Sequence, residues 1–336
     1  MKRWTRRPPG STWGDWGDDD QLGRLNLIGP NEVLRAVEEV REGKTFCLSL
    51  PLEYPGGNVL SNVRFPPRLA PVVRNDAQYY NYEWRRIEPL LNDIASDDAV
   101  LLYTQYSTQW DSLAHRGALF DVVGDGNAVP VYYNGYRAGD DITINRDDSV
   151  AARSLGIENA ATHGIQGRGV LVDLYSRYGE SPRKEVGYDD LMGIIDEDQI
   201  TIGQGDILCL WTGLDRVILR MKGDPDESVR RSCAVLDGRD DALLNWIAKS
   251  NVAAIVSDNV AIEATGRPLP ADHRGTNLPL HELCLFRLGV HLGELWLLAG
   301  LATWLRENDR HSFLLTAPPL RLTGAVGSPV TPIATV

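Results

Sequence analysis

The segment from Ala99 to His115 constrains this chain most, because it places polar side chains directly after an apolar run. Residues 99–103 are apolar and are typical of a buried strand. Four side chains that can hold a metal or move a proton follow at odd-numbered positions: Gln105, Gln109, Asp111 and His115. Successive side chains of a strand point to opposite faces, so a continuing strand would carry all four on one face. The pattern also fits an edge strand with a solvated polar face.

Beyond this segment, predicted strands and helices alternate without internal repeats or a linker. The strands are predicted at 46–50, 167–174, 205–213, 252–256 and 313–316. The helices are predicted at 30–40, 188–195, 236–248 and 281–288. This order predicts a single α/β domain over residues 1–336.

Residues 1–30 form an unusual arm in which Trp13 and Trp16 stand among glycines and acidic residues. Two tryptophans in a polar segment are costly unless they are buried against another surface. The arm therefore either staples the domain or forms an aromatic wall over a pocket.

Residues 51–90 are predicted to be a long irregular loop, because six prolines and a Gly56-Gly57 pair interrupt any regular pattern. Loops of this length in compact domains are usually functional or disordered. Aromatic residues such as Phe65 argue against disorder. We expect a lid, or an arm that contacts a neighbouring subunit.

The charge balance narrows the class of partner. Lysine and arginine number 34 and aspartate and glutamate 46, so the formal net charge is 34 − 46 = −12. An acidic surface does not attract nucleic acid or anionic membranes, so neither is expected as a main partner, but the charge does not identify a substrate. The four cysteines lack CxxC spacing, and the N-terminus lacks the apolar segment of a signal peptide. A cytoplasmic location is therefore expected.

The polar segment and several others also match a known pattern. Asp111, His115 and Thr108 fall on the Asp, last His and Thr of His-x-Gly-Thr-His-x-Asp-x-Pro-x-His. Gln105 and Gln109 stand where its first two histidines belong, and Ser107 and Leu113 replace its Gly and Pro. Further matches are the Trp-Gly opening at 13–28, Gly-Arg-Gly-Val-Leu at 167–171, Tyr-Asp-Asp-Leu-Met at 188–192, Gly-Asp…Thr-Gly at 205–213 and Gly-Ser-Pro at 327–329. The chain thus resembles the cyclase family of metal-dependent hydrolases, which includes bacterial kynurenine formamidases, isatin hydrolase and trans-dienelactone hydrolase.

The resemblance implies a swivelling β/β/α fold, with a mixed β-sandwich or barrel core and flanking helices. It also implies a homo-oligomer, a dimer or a tetramer, often with sites near subunit interfaces. It assigns catalysis to His115 and Asp111. The implied metal ligands are Gln105, Gln109, Asp111, His281 and Glu294. The residues expected to contact a substrate are Trp13, Trp16, Phe65, Trp110 and His163.

The replaced histidines change the expected metal. A glutamine offers a neutral carbonyl oxygen, which is a harder donor than imidazole. Together with Asp111 and Glu294, such oxygens suit Mg²⁺, Mn²⁺ or Ca²⁺ better than Zn²⁺. The candidate cofactor is a divalent ion: manganese or magnesium, which the oxygen donors favour, or zinc. His281 can equally be a core or capping histidine, and His273, His291 and His311 are expected at the surface.

Two functions stay open from the sequence. The first is a metal-dependent hydrolase of an amide, lactam or lactone bond in a small cyclic or aromatic substrate. The second is a metal-free family member that binds a small molecule, or isomerises or cyclises it, with Asp111 and His115 as acid and base. A purely structural role fits poorly, because buried polar side chains are costly to keep.

Overall fold

The computed structural model describes residues 2–269 and 275–336. Nine strands form one sheet, which curls into a half-barrel. In chain order they are β1 (Thr45–Cys47), β2 (Gln109–Asp111), β3 (Gln166–Asp173), β4 (Ile207–Trp211), β5 (Ala254–Ser257), β6 (His291–Glu294), β7 (Ser312–Thr316), β8 (Gly327–Pro329) and β9 (Ile333–Thr335). Their order across the sheet is β1-β9-β7-β3-β4-β5-β6-β2-β8. β3 to β6 run parallel and the other neighbours pair antiparallel.

Helices connect and cover these strands. They are α1 (Pro30–Val37), α2 (Ile157–His163), α3 (Leu174–Tyr178), α4 (Tyr188–Glu197), α5 (Leu214–Met221), α6 (Asp241–Ser250), α7 (Pro279–His281, continuing as a π-helix over Glu282–Leu288) and α8 (Ala299–Glu307). Short 3₁₀ turns lie at Gly23–Leu27, Trp84–Arg86, Tyr133–Gly135 and Glu227–Arg231. Parallel neighbours need crossover connections, which α3 to α7 supply. Among the described residues, no helix is long and apolar enough to cross a membrane.

The parallel strands are buried on both faces, which explains their continuous apolar sequences. In β3, Val170 and Val172 belong to one apolar cluster and Leu171 to the cluster on the opposite face. In β4, Leu208 belongs to the same cluster as Val170, and Cys209 belongs to the cluster on the opposite face. The predicted α/β class, with a mixed sheet and flanking helices, is confirmed.

Residues 68–101 depart from the prediction, since they form an exposed arm of paired strands rather than an irregular loop. The pairs are Arg68–Pro71 with Asp98–Leu101, Val73–Arg74 with Ala77–Gln78, and Tyr82–Glu83 with Ile94–Ala95. The run predicted as a buried strand, 99–103, contributes to the first pair and is largely exposed. An apolar run predicts a strand but does not reveal which surface covers it. Further pairs outside the main sheet are Ala118–Phe120 with Val129–Val131, Ile142–Ile144 with Val150–Ala152, and Glu185–Val186 with Val235–Leu236.

The N-terminal arm staples the domain. Asn134 donates from Nδ2 to three carbonyl oxygens of the arm, those of Gly17, Asp18 and Asp20, each at 3.1 Å. Trp13 is fully buried and donates from Nε1 to the carbonyl oxygen of Phe286 at 2.7 Å. The arm is therefore part of the core packing.

Candidate metal centre

Strand β2 positions the first two polar side chains of the site, those of Gln109 and Asp111. β2 lies between β6 and β8, and Gln109 pairs with Glu294 across the ladder. Gln109 and Asp111 point to one face of β2, whereas Trp110 points to the other. Thr108 fixes the start of the strand, because its hydroxyl donates to Leu295 O at 2.5 Å and accepts from Leu50 N at 2.9 Å.

Gln109, Asp111 and Glu294 form a buried polar cluster. Nε2 of Gln109 donates to Asp111 Oδ1 at 3.3 Å and to Glu294 Oε2 at 3.4 Å. Among the described residues, Gln109 Oε1 and Asp111 Oδ2 have no hydrogen-bond partner, although both atoms are buried. Orphaned buried acceptors are uncommon in folded proteins and suggest a missing ligand. The two oxygens are suited to receive a cation.

His281 enters the same cluster from the start of α7 and is held by Glu263. Glu263 Oε1 accepts from the backbone N of His281 at 2.9 Å and lies 2.8 Å from its Nδ1, while Oε2 accepts from Leu280 N at 3.0 Å. The opposite ring nitrogen, Nε2, lies 3.3 Å from Glu294 Oε1. At Gly238, a Cβ atom would lie 1.9 Å from the Glu263 carboxylate, so this close approach requires a glycine. The carboxylate therefore fixes the tautomer and orientation of the imidazole.

The cluster holds two protons near neutral pH, one on Asp111 and one on His281. Burial, followed by the charge of Glu294, raises the pKa of Asp111 to about 8. Burial opposes the charged form of His281, but the hydrogen bonds with Glu263 and Glu294 prevail and raise its pKa to about 9. Burial likewise opposes ionisation of Glu294, yet the hydrogen bond from His281 and its charge lower the pKa of that carboxyl. Near neutral pH, Asp111 and His281 are therefore both protonated.

His115 and Gln105 lie beside this cluster. His115 Nε2 is 3.8 Å from Asp111 Oδ2, and its Nδ1 is 3.5 Å from Gln105 Nε2. Burial lowers the pKa of His115 to about 3, although Glu294 acts in the opposite direction, so the imidazole is neutral. Gln105 Oε1 already accepts the Thr104 hydroxyl at 2.8 Å. Gln105 is thus oriented toward His115, while Gln109 is oriented toward the carboxylates.

The residues after Pro51 form a cover over the cluster, which we call the lid (residues 55–64). Tyr106 donates its hydroxyl to Gly57 O at 3.0 Å, and Arg64 donates from Nη1 to Gln105 O at 2.8 Å. The lid, Gln105 and Glu294 line a cavity of about 20 Å³, which is room for about one water molecule. A cavity of this size does not hold a substrate-sized molecule.

The donor set fits a metal ion. Asp111, His281 and Glu294 each offer a ligand atom, and these atoms all lie within 4.8 Å of one another. Gln109 adds the orphaned oxygen described above. The structure thus brings together four of the five ligands predicted from the sequence, and it turns the fifth, Gln105, toward His115.

The residues expected to contact a substrate are placed differently. Trp13 and Trp110 are core residues: both are fully buried, and the Trp110 indole donates to Ala317 O at 2.8 Å. Trp16 lies half-buried in the N-terminal arm, and His163 ends α2, where it bonds the Leu25 backbone. Phe65 follows the lid, is 42% exposed and packs against Tyr103. Trp13 and Trp110 thus pack within the core, which an aromatic residue in a motif can equally serve, and their contact with a substrate stays a prediction.

Other histidines also differ from expectation. His291 was expected at the surface but is buried in β6, and burial lowers its pKa to about 3. His311 is half-buried, and His273 lies outside the described residues. Sequence reasoning missed Glu263 and Arg64. Glu263 is the only acid in residues 259–269, and a lone acid among largely apolar residues was the available signal.

Known proteins resemble this chain both in sequence and in fold. A family model described as "Putative cyclase" matches residues 48–264. No curated protein matches the chain. A crystal structure described as that of a novel cyclase is 30% identical, covers 97% of this chain and 99% of its own, and has a TM-score of 0.76.

More distant structures share the fold. Isatin hydrolase A from Labrenzia aggregata, bound to benzyl benzoate, is 14% identical with a TM-score of 0.55, over 91% of this chain and 98% of its own. Isatin hydrolase A from Ralstonia solanacearum is 15% identical with a TM-score of 0.53, over 91% and 97%.

Proposed function

Because the chain belongs to the putative cyclase family, we propose that it is a hydrolase that uses a divalent metal to cleave an amide, lactam or lactone bond in a small substrate. The observation that carries this proposal is the meeting of Asp111, His281 and Glu294 within 4.8 Å, beside an orphaned oxygen of Gln109. Two isatin hydrolases share the fold. Hydrolysis of a small cyclic amide is therefore the activity to test first.

The proposed ligands are Gln109 Oε1, Asp111 Oδ2, His281 Nε2 and Glu294. Three of the four residues offer oxygen, so the set favours Mn²⁺ or Mg²⁺ over Zn²⁺. The two carboxylates balance the charge of a divalent ion once Asp111 and His281 release their protons. Glu263 keeps Nε2 of His281 directed at the site by holding Nδ1.

A bound divalent ion supplies Lewis-acid polarisation of the scissile carbonyl and a water of lowered pKa. His115 is neutral and lies next to Asp111 Oδ2, so it can take a proton from a nucleophilic water and return it to the leaving group. For Nε2 of His115 to take that proton, Nδ1 must carry the ring proton, which Gln105 can accept only through its amide oxygen. The lid excludes bulk water when it is closed, which strengthens each of these interactions.

A metal-free role is the second candidate. It is favoured by the loss of both motif histidines and by the protons on Asp111 and His281, which reduce the buried negative charge without a metal. In this case Asp111 and His115 act as acid and base on a bound small molecule. Elemental analysis separates the two candidates: less than stoichiometric metal after supplementation with Mn²⁺ supports the metal-free role.

The exposed arm supports a homo-oligomer, a dimer or a tetramer. Large apolar side chains are exposed along it: Leu69, Val73, Leu90, Ile94, Val100 and Leu101. Exposed apolar clusters of this kind mark interaction surfaces. Light scattering after size-exclusion chromatography tests this, and Leu69→Lys with Val100→Lys should shift the mass toward the monomer. All four cysteines are free thiols, which fits the proposed cytoplasmic location.

The experiment for the hydrolase is turnover of a panel of lactams, lactones and aryl formamides with Mn²⁺ present. Asp111→Ala and His115→Ala should each lose at least about a hundredfold in kcat/KM, and EDTA should abolish activity. His311→Ala is the matched control, and thermal unfolding checks that each variant is folded. Activity that survives EDTA and both substitutions rejects the proposal.

A further inference from the structure

A second cavity lies beside the lid and contains Arg183, which forms no salt bridge with any residue that the structure describes. Arg183 and Arg230 both line it, and its volume is about 80 Å³. Leu60 and Val260 line this cavity and also the metal-centre cavity. The two spaces are therefore adjacent, separated by two apolar side chains.

Arg183 is poorly neutralised within the protein. Its Nη1 donates to the backbone oxygen of Arg230, and its buried Nε has no partner among the described residues. Burial lowers the pKa of Arg183, and the charge of Glu185 only partly offsets this. Glu185 itself is paired with Arg267 at 2.7 Å. A guanidinium in this setting gains most from an anion with two oxygens, because the guanidinium presents its donors as a planar fork.

The remaining walls indicate the shape of the ligand. Leu214 and Val229 are buried and apolar, and Thr265 adds a hydroxyl. Arg230 donates from Nε to Val59 O at 2.6 Å and so ties the lid to this cavity. A ligand that reaches from the metal centre to Arg183 would pass between Leu60 and Val260, under the same lid.

We infer that the Arg183 cavity binds the carboxylate of a substrate whose scissile amide or ester group lies at the metal centre. The substrate class is thus a small acid with an apolar spacer between its carboxylate and its reacting group. The location of the reacting group rests on the proposed hydrolase function, but binding of a carboxylate at Arg183 does not.

Binding is tested with benzoate and its neutral isostere benzamide, by calorimetry on the full chain with and without EDTA. Benzoate should bind at least tenfold more tightly than benzamide, and Arg183→Gln should remove that difference while Arg183→Lys retains part of it. Arg177→Gln is the matched control, because Arg177 pairs with Glu197 at an exposed site. Thermal unfolding verifies that the variants are folded.

The outcomes separate this inference from the hydrolase proposal. Benzoate binding that is lost in Arg183→Gln and kept in EDTA supports the cavity, even if no substrate is turned over. Benzoate binding that is lost in EDTA and unchanged in Arg183→Gln means that the metal holds the carboxylate, which overturns the inference. Equal binding of benzoate and benzamide, or no saturable binding of benzoate, overturns it as well. If turnover is found, a 4-nitrophenyl glutarate monoester should lose at least tenfold in kcat/KM with Arg183→Gln, while 4-nitrophenyl butyrate should not.

Discussion

Metal binding at this centre should release two protons, because the metal-free site holds one on Asp111 and one on His281. The pKa of Asp111 is raised to about 8 and that of His281 to about 9. A cation bound between them requires the ionised carboxylate and the neutral imidazole. The test is therefore to measure the affinity for Mn²⁺ at several fixed pH values.

The size of the effect follows from linkage. Each proton released changes the affinity about tenfold per pH unit below the pKa of its group. Between pH 6 and 7 both groups are protonated, so the association constant should rise about a hundredfold. Between pH 8 and 9 only His281 still loses a proton on binding, so the rise should fall to about tenfold. Above pH 9 the affinity should become nearly constant.

Isothermal titration calorimetry in buffers of different ionisation enthalpy counts these protons directly. Asp111→Asn should reduce the count at pH 7 from about two to about one, since only His281 then titrates. His311→Gln, outside the site, should leave the count unchanged. A count near zero at pH 7, or an affinity independent of pH between 6 and 8, would refute the electrostatic reasoning.

Three further predictions concern single residues. Gln109→His restores an imidazole and should raise Zn²⁺ affinity relative to Mn²⁺ by at least about tenfold; an unchanged ratio in competition titrations would contradict the assignment of Gln109 as a ligand. Glu263→Gln should weaken Mn²⁺ binding about 10- to 100-fold by releasing the His281 ring, and affinity within twofold of wild type would speak against its positioning role. Trp110→Ala should lower the free energy of unfolding by about 3–5 kcal/mol, because it removes a large core side chain. Trp110→Phe should leave Mn²⁺ affinity unchanged, and a large loss of affinity in that variant would mean that Trp110 takes part in the site.

The sequence predicted the parallel centre of the sheet well, because strands buried on both faces carry apolar runs such as Ile207–Trp211. It failed for residues 99–103, whose apolar side chains lie on an exposed arm. Periodicity alone does not distinguish burial within one chain from a surface available to another. The same ambiguity affected Trp13 and Trp110, which proved to be core residues.

At the site, local pattern and chain topology contributed differently. The two-residue period of a strand was enough to place Gln109 and Asp111 on one face. His281 and Glu294 could be joined to them only through resemblance to a family, because the contact depends on the order of the strands. Glu263 and Arg183 had no sequence signal of comparable strength, since their roles come from long-range contacts made only in the folded chain.

The most direct test of the central claim is a crystal of the protein soaked in Mn²⁺, with anomalous scattering measured at the manganese edge. We expect one strong peak bounded by Gln109 Oε1, Asp111, His281 Nε2 and Glu294. A peak elsewhere, or none at these residues at saturating Mn²⁺ and pH 8, would contradict the assignment of a metal centre.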